Sequence, residues 1–103
     1  MATQRREVIW TRRARDALDE AAAYVAQDSP ERAVDLIERA LDAAESLDTL
    51  SERGRIVPEL DNPTVREILV QKYRLLYEVA ASQITVLGFL HGARDFNRWW
   101  RGE

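Results

Sequence analysis

The sequence predicts an α+β fold in which a helical hairpin packs on one face of a largely antiparallel sheet. Three observations carry that reading. Tyr73–Val79 and Ile84–Leu90 are runs of β-branched, aromatic and aliphatic residues, and the short link Ala80-Ala81-Ser82-Gln83 between them suits an antiparallel hairpin. Ala33, Leu36, Ile37, Ala40, Leu41, Ala44 and Leu47 recur at the spacing of a helix with one apolar stripe. The order of segments (one strand, two helices, then a three-stranded meander) separates the helices from most of the sheet.

Taken in order, Met1–Arg6 is polar and expected to fray. Glu7–Trp10 is a short apolar strand, and Thr11 is the N-cap of a first helix opening with Arg12, Arg13 and Ala14. Ala14, Leu18, Ala21, Ala22 and Val25 form its apolar side, while Asp16, Asp19 and Glu20 face away. Gln27-Asp28 ends that pattern. Ser29 as N-cap with Pro30 at the first helical position starts the second helix, whose apolar stripe is the clearest in the chain. The many alanines of the two helices permit close approach. Asp48–Pro63 is an irregular connection anchored by Leu50, Ile56, Val57 and Leu60, and Asp61-Asn62-Pro63 is a turn signal. Val65–Val70 is the next strand, joined through Gln71-Lys72 to Tyr73–Val79. Phe96–Trp100 is a short terminal element.

Composition narrows the chemistry. A chain of 103 residues fits a single domain, residues 1–103, that buries a core without metal or disulfide. The lack of cysteine removes thiol nucleophiles and thiolate zinc sites, and no cofactor is implied. No apolar run approaches the ~18 residues of a membrane span and no leader precedes the first strand, so a soluble cytoplasmic protein without membrane contact is expected. The net charge of −3 is unevenly spread: residues 1–15 carry +4, residues 16–63 carry −9 and residues 64–103 carry +2. That acidic middle argues against a general nucleic-acid binder. Lys72 is the only lysine among the 15 basic residues, which leaves little scope for amine catalysis.

Few side chains assemble into a catalytic pattern. A Ser-His-Asp triad would need His91 with Ser82 or Ser51, neither in a nucleophile-elbow context. His91 itself reads as a strand-end residue bonded to backbone. Alternation puts Tyr73, Leu75, Tyr77 and Val79 on the helix-covered face and turns Arg74, Leu76 and Glu78 to the other. Arg74 is then either paired with Glu67 or Glu78, or a contact for a partner. Arg94, beyond the last strand, joins the same surface or meets Asp95. Of Trp99 and Trp100 in the polar tail, one belongs to the core and the other is a candidate partner contact.

Val8-Ile9-Trp10-Thr11, Ala14 and Leu18, Tyr24-Val25-Ala26 and Ser29-Pro30-Glu31-Arg32-Ala33, in this order and spacing, carry a resemblance to the RelE/ParE superfamily of type II toxin–antitoxin toxins. It continues through Gly54-Arg55, Val57-Pro58-Glu59, Arg66-Glu67, Tyr73-Arg74-Leu75-Leu76-Tyr77-Glu78-Val79 and His91-Gly92-Ala93-Arg94-Asp95. It implies the α+β fold above and two mechanistic branches. RelE-like members cut messenger RNA on the ribosome with charge-stabilising arginines plus Lys and Tyr in acid–base roles; ParE-like members inhibit DNA gyrase by contact. Arg74 and Arg94 stand at the two RelE-like arginine positions. Val65 and Glu67 replace the basic residues of the preceding strand, and Trp100 replaces a tyrosine, losing its hydroxyl. The resemblance therefore favours a ParE-like toxin in a hetero-oligomer with a cognate antitoxin, with Arg74, Arg94, Trp99 and Trp100 as partner-binding residues. The alternatives are a ribosome-dependent endoribonuclease using Arg74 and Arg94 as catalytic residues, and a non-toxic relative kept as a binding module.

Overall fold

The computed structural model describes residues 5–102. Its elements are β1 (Glu7–Trp10), α1 (Arg12–Ala26), α2 (Pro30–Glu45) with a short 3₁₀ turn at Ser46–Asp48, β2 (Arg55–Ile56), β3 (Val65–Val70), β4 (Tyr73–Val79), β5 (Gln83–His91) and α3 (Phe96–Trp100). The strands form one sheet in the order β1-β5-β4-β3-β2. Pairing is antiparallel from β2 to β5, while β1 lies parallel to β5, Glu7 opposite Gln83 and Trp10 opposite Val86.

Local signals set both helix starts. Thr11 accepts from the Ala14 N–H at 3.0 Å, and Ser29 accepts from the Arg32 N–H at 3.2 Å with Pro30 just inside the helix. Ala14, Leu18, Leu36, Ala40, Ala44 and Leu47 pack against Ile68, Leu75, Tyr77, Ile84, Val86 and Phe89. The helix-facing set on β4 is the one that alternation selects. The α2 stripe differs at one point: Leu41 is 47% exposed, and Ala43 is buried instead. Ala43 lies beside Ile68 and Val70 of β3, while Leu41, two residues back and so on another side of α2, lines a groove with Trp10, Leu18 and Ile37.

Four further features depart from the sequence reading. The fifth strand, β2, was unforeseen, because two exposed edge residues carry no periodicity. Leu50 and Ile56 do not anchor the connection, being 57% and 44% exposed, whereas Val57 is fully buried. Of the segment expected to fray, Met1–Gln4 lies outside the described residues, but Arg6 is tied down: its N–H reaches Asp48 O at 2.8 Å, its Nε Ala80 O at 2.8 Å and its Nη1 Ser51 Oγ at 2.9 Å. The sheet face away from α1 and α2 is not open either. Val57, Val65, Leu76, Leu90, Phe96 and Trp99 form a second buried cluster there.

A β-bulge makes that second cluster possible. The register between β4 and β5 shifts between Leu76 and Tyr77, so Leu76 opposes Gly88 while Tyr77 opposes Val86. The extra residue, Leu87, breaks the alternation of β5: Val86 and Phe89 both face the helices, and Leu87 and Leu90 both face away. Gly88 receives the Trp99 ring; a Cβ at this position would stand 2.1 Å from a Trp99 ring carbon, so no larger residue fits.

Candidate functional site

The helix-free face carries the polar centre of the molecule. Arg74 on β4 lies opposite Leu69 on β3, which brings its guanidinium diagonally onto Glu67. Its Nε donates to Glu67 Oε1 at 2.7 Å. Its Nη1 and Nη2 grip Glu59 at 2.9 and 2.6 Å in the two-pronged geometry that guanidinium and carboxylate favour. The far oxygen of Glu67 accepts from Arg55 Nε at 2.6 Å, and the Phe96 ring covers the Arg74 guanidinium at 4.8 Å. Glu67 and Arg74 are 1% and 7% exposed. The result is an Arg55–Glu67–Arg74–Glu59 chain of alternating charge in which each buried head group is paired, as burial demands. The hydrogen bond from Arg74 holds the Glu59 carboxyl below its ordinary pKa against the opposing effect of burial. Glu59, followed by desolvation in the other sense, raises the Arg74 guanidinium.

Arg94 lies elsewhere. Exposed in the β5–α3 loop, it lines a cleft with Arg12, Arg13, Asp16, Glu20 and Trp99. Arg13 stacks on the Trp99 ring at 4.0 Å and donates through Nη2 to the Trp99 carbonyl, tying α1 to α3. Burial, then the nearby charge of Arg94, lowers the Arg13 pKa. The structure therefore gives the two arginines singled out in the sequence different surroundings: Arg74 is enclosed by carboxylates, Arg94 faces another arginine.

The tryptophans divide as the tail composition implies. Trp99 is 3% exposed on Gly88, against its placement among partner contacts, since nearly all of its surface is taken up by the second cluster. Trp100 is 39% exposed and stacks on Phe96 with ring centroids 5.8 Å apart. His91 is exposed and its Nδ1 accepts from the Ala93 N–H at 3.1 Å. Arg74 pairs with Glu67, not Glu78, which is exposed. Two functional partners escaped the sequence reading. Glu59 sits in an irregular loop whose path no periodicity records, and Arg13 looked like one more polar residue in the first turn of a helix.

Chemically, the enclosed cluster can hold charge but moves no proton readily. Guanidinium stays protonated near neutral pH, and the neighbouring Tyr77 is turned to the other face. There its hydroxyl donates to Ser51 O at 2.9 Å and accepts from the Gly54 N–H at 2.8 Å, and burial raises its pKa. No group of three or more His, Asp or Glu side chains placed to hold a metal occurs among the described residues.

The model of the family described as the ParE toxin of type II toxin–antitoxin system parDE matches residues 8–96. The chain belongs to the ParE toxin family. Within the wider RelE/ParE group, it is 35% identical over 89 residues to Toxin RelE2 of Caulobacter vibrioides, an alignment covering 85% of this chain and 97% of that one. Two solved structures share the fold. The chromosomal ParDE system of P. aeruginosa superposes with a TM-score of 0.69 at 22% identity, covering 85% of this chain and 97% of that one. The RelBE2 toxin–antitoxin complex of Mycobacterium tuberculosis superposes with a TM-score of 0.58 at 20% identity, covering 90% and 98%. The ParE-family α+β fold read from the sequence is thus the fold observed. Among the described residues no helix is long and apolar enough to cross a membrane.

Proposed function

We propose that this ParE-family toxin inhibits DNA gyrase by protein contact and is neutralised by a cognate antitoxin in a hetero-oligomeric complex. The observation that carries the reading is the enclosure of Arg74. A guanidinium whose donors point at Glu59 and Glu67 has none aimed at a phosphate, and a nuclease needs donors directed at developing negative charge and a group that moves protons. Val65 is buried in the second cluster and Glu67 in the ion pairs, so neither supplies the missing base, and Trp100 lacks a hydroxyl. Inhibition by contact asks only for a shaped surface, for which Arg94 and the exposed edge of Trp100 are available. The antitoxin is inferred from family membership and from the ParDE and RelBE2 complexes that share the fold.

The test is a purified full-length toxin added to gyrase supercoiling and to cell-free translation. Loss of supercoiling with translation intact is expected, and the antitoxin encoded beside it should restore supercoiling. Translation arrest with supercoiling untouched would replace this reading by the second one, ribosome-dependent cleavage of messenger RNA. One observation favours that alternative: the Arg94 guanidinium takes part in no ion pair among the described residues and stands beside Arg13. Cleavage abolished by both Arg74→Ala and Arg94→Ala would establish it.

A further inference from the structure

The only lysine and the only histidine of the chain line one cleft, whose lining includes neither Arg74 nor Arg94. This cleft, of about 360 Å³, lies between the α1–α2 turn and the β3–β4 hairpin. Tyr24 and Asp28 border it from the end of α1 and the turn, Arg32 from the first turn of α2, and Lys72, Tyr73 and His91 from the sheet. Its size is that of a small-molecule site.

The walls are fixed by the fold. Gln71 takes a left-handed conformation (φ 54°) to turn the hairpin, and its side chain donates to Asp35 on α2 at 3.2 Å. The Gly92 N–H donates to Lys72 O at 2.8 Å, fastening the turn to the end of β5. Tyr73 stacks on Phe89 at 4.8 Å and meets the His91 ring edge-on at 5.4 Å. Because His91 Nδ1 accepts from the Ala93 N–H, the neutral ring carries its proton on Nε2, a donor not used among the described residues.

The head groups, by contrast, are idle. Among the described residues no ion pair engages Arg32, Lys72 or Asp28, and no hydrogen bond engages the hydroxyls of Tyr24 and Tyr73. Two cations against one carboxylate leave the cleft one unit positive with His91 neutral. Ammonium, guanidinium, imidazole N–H and phenol O–H are donors of different shape approaching from different elements. That arrangement suits the three terminal oxygens of a phosphate better than the planar fork of a carboxylate. Tyr24 adds an exposed ring, 71% accessible, on which a flat heterocycle can stack.

We propose that this cleft binds a nucleotide, its phosphate held by Lys72, Arg32 and His91 and its base against Tyr24, as the free molecule or as the phosphorylated end of a nucleic-acid strand. The site is independent of the toxin's target. Because His91 is the only histidine, its imidazole resonances in the NMR spectrum of the full-length protein report on the cleft alone. Adenosine 5′-monophosphate should shift them saturably at constant ionic strength, whereas adenosine should not. The Arg32→Ala/Lys72→Ala double variant should weaken the response by about tenfold or more, since charge-assisted hydrogen bonds are lost. A 5′-phosphorylated oligonucleotide that binds tighter than the mononucleotide assigns the site to strand ends; equal or weaker binding assigns it to the free nucleotide. No saturable shift with either phosphate ester, an equal shift with adenosine, or a shift undiminished in a double variant whose remaining spectrum is native would overturn the proposal.

Discussion

On the helix-covered face of the sheet, Leu36, Ala40 and Leu47 meet Leu75, Tyr77 and Phe89 in an interface that is apolar almost throughout. On the other face, Val57, Leu76, Leu90 and Trp99 share the space with Arg74, Glu59 and Glu67, and the cover is a loop and a helix of five residues. The first face is redundant: many aliphatic contacts, each dispersed over several neighbours. The second is a lock of few parts, where one ring fills one gap above a glycine and one guanidinium serves two carboxylates. Losses on the first face should be graded with the volume removed, and losses on the second should be concentrated at single residues.

The largest effect expected is at Trp99. Trp99→Ala empties the space above Gly88 and frees Arg13, and should cost about 4 kcal/mol in urea denaturation, at or above the ~2–4 kcal/mol expected for Leu36→Ala opposite. A cost near that of an exposed substitution would show that the second face contributes little. Arg74→Ala follows at about 3 kcal/mol, because Glu67 keeps only Arg55 to balance a buried charge. An Arg74→Met/Glu67→Leu double variant should recover most of that loss; failure to recover would mean that Glu59 and the loop depend on Arg74 for their position. Tyr77→Phe removes a hydroxyl bonded to Ser51 and Gly54 and should cost about 1–2 kcal/mol, the one place where the helix-covered face behaves like the other.

The smallest effect is one of pH. The folded Glu59 carboxyl lies below its ordinary value, so its pairing with Arg74 stabilises the protein fully above the unfolded glutamate pKa of about 4.3. That contribution is lost as pH falls through the lowered folded value. Thermal melts between neutral and acid pH should therefore show a shallower decline for Glu59→Gln than for the wild type. Parallel declines would indicate that the pair is too exposed to matter.

The first face was legible in the sequence and the second only in part, since Arg74 could be turned to it and paired with Glu67 while its other members could not be read, for reasons visible in particular residues. Ala33 to Leu47 repeat at a helical period and Tyr73 to Val79 alternate, so their inward sides could be read directly. Ser29-Pro30 and Thr11 named both helix starts. Glu59 and Val57 lie in a stretch with neither period, and their approach to Arg74 and Leu76 depends on tertiary folding. The bulge at Leu87 shifts the phase of β5 without any proline or charged residue to mark it, although Gly88 beside it was a hint. Family resemblance located Arg74 and Arg94, and strand alternation offered Glu67 as a partner of Arg74, but neither pointed to Glu59 as the second carboxylate that encloses it.

The parallel pairing of β1 with β5 has a consequence for the order of events in the cell. Glu7 finds its partner at Gln83, so β1 waits for the much later β5 before its inner edge is satisfied. Contacts this distant in sequence form slowly, and until they do an unpaired strand stays exposed. Trp99, which closes the second face, is made later still. The fold is thus unfinished until Trp99 has been translated, which leaves an interval during synthesis when the earlier strands exist and the completed surface does not.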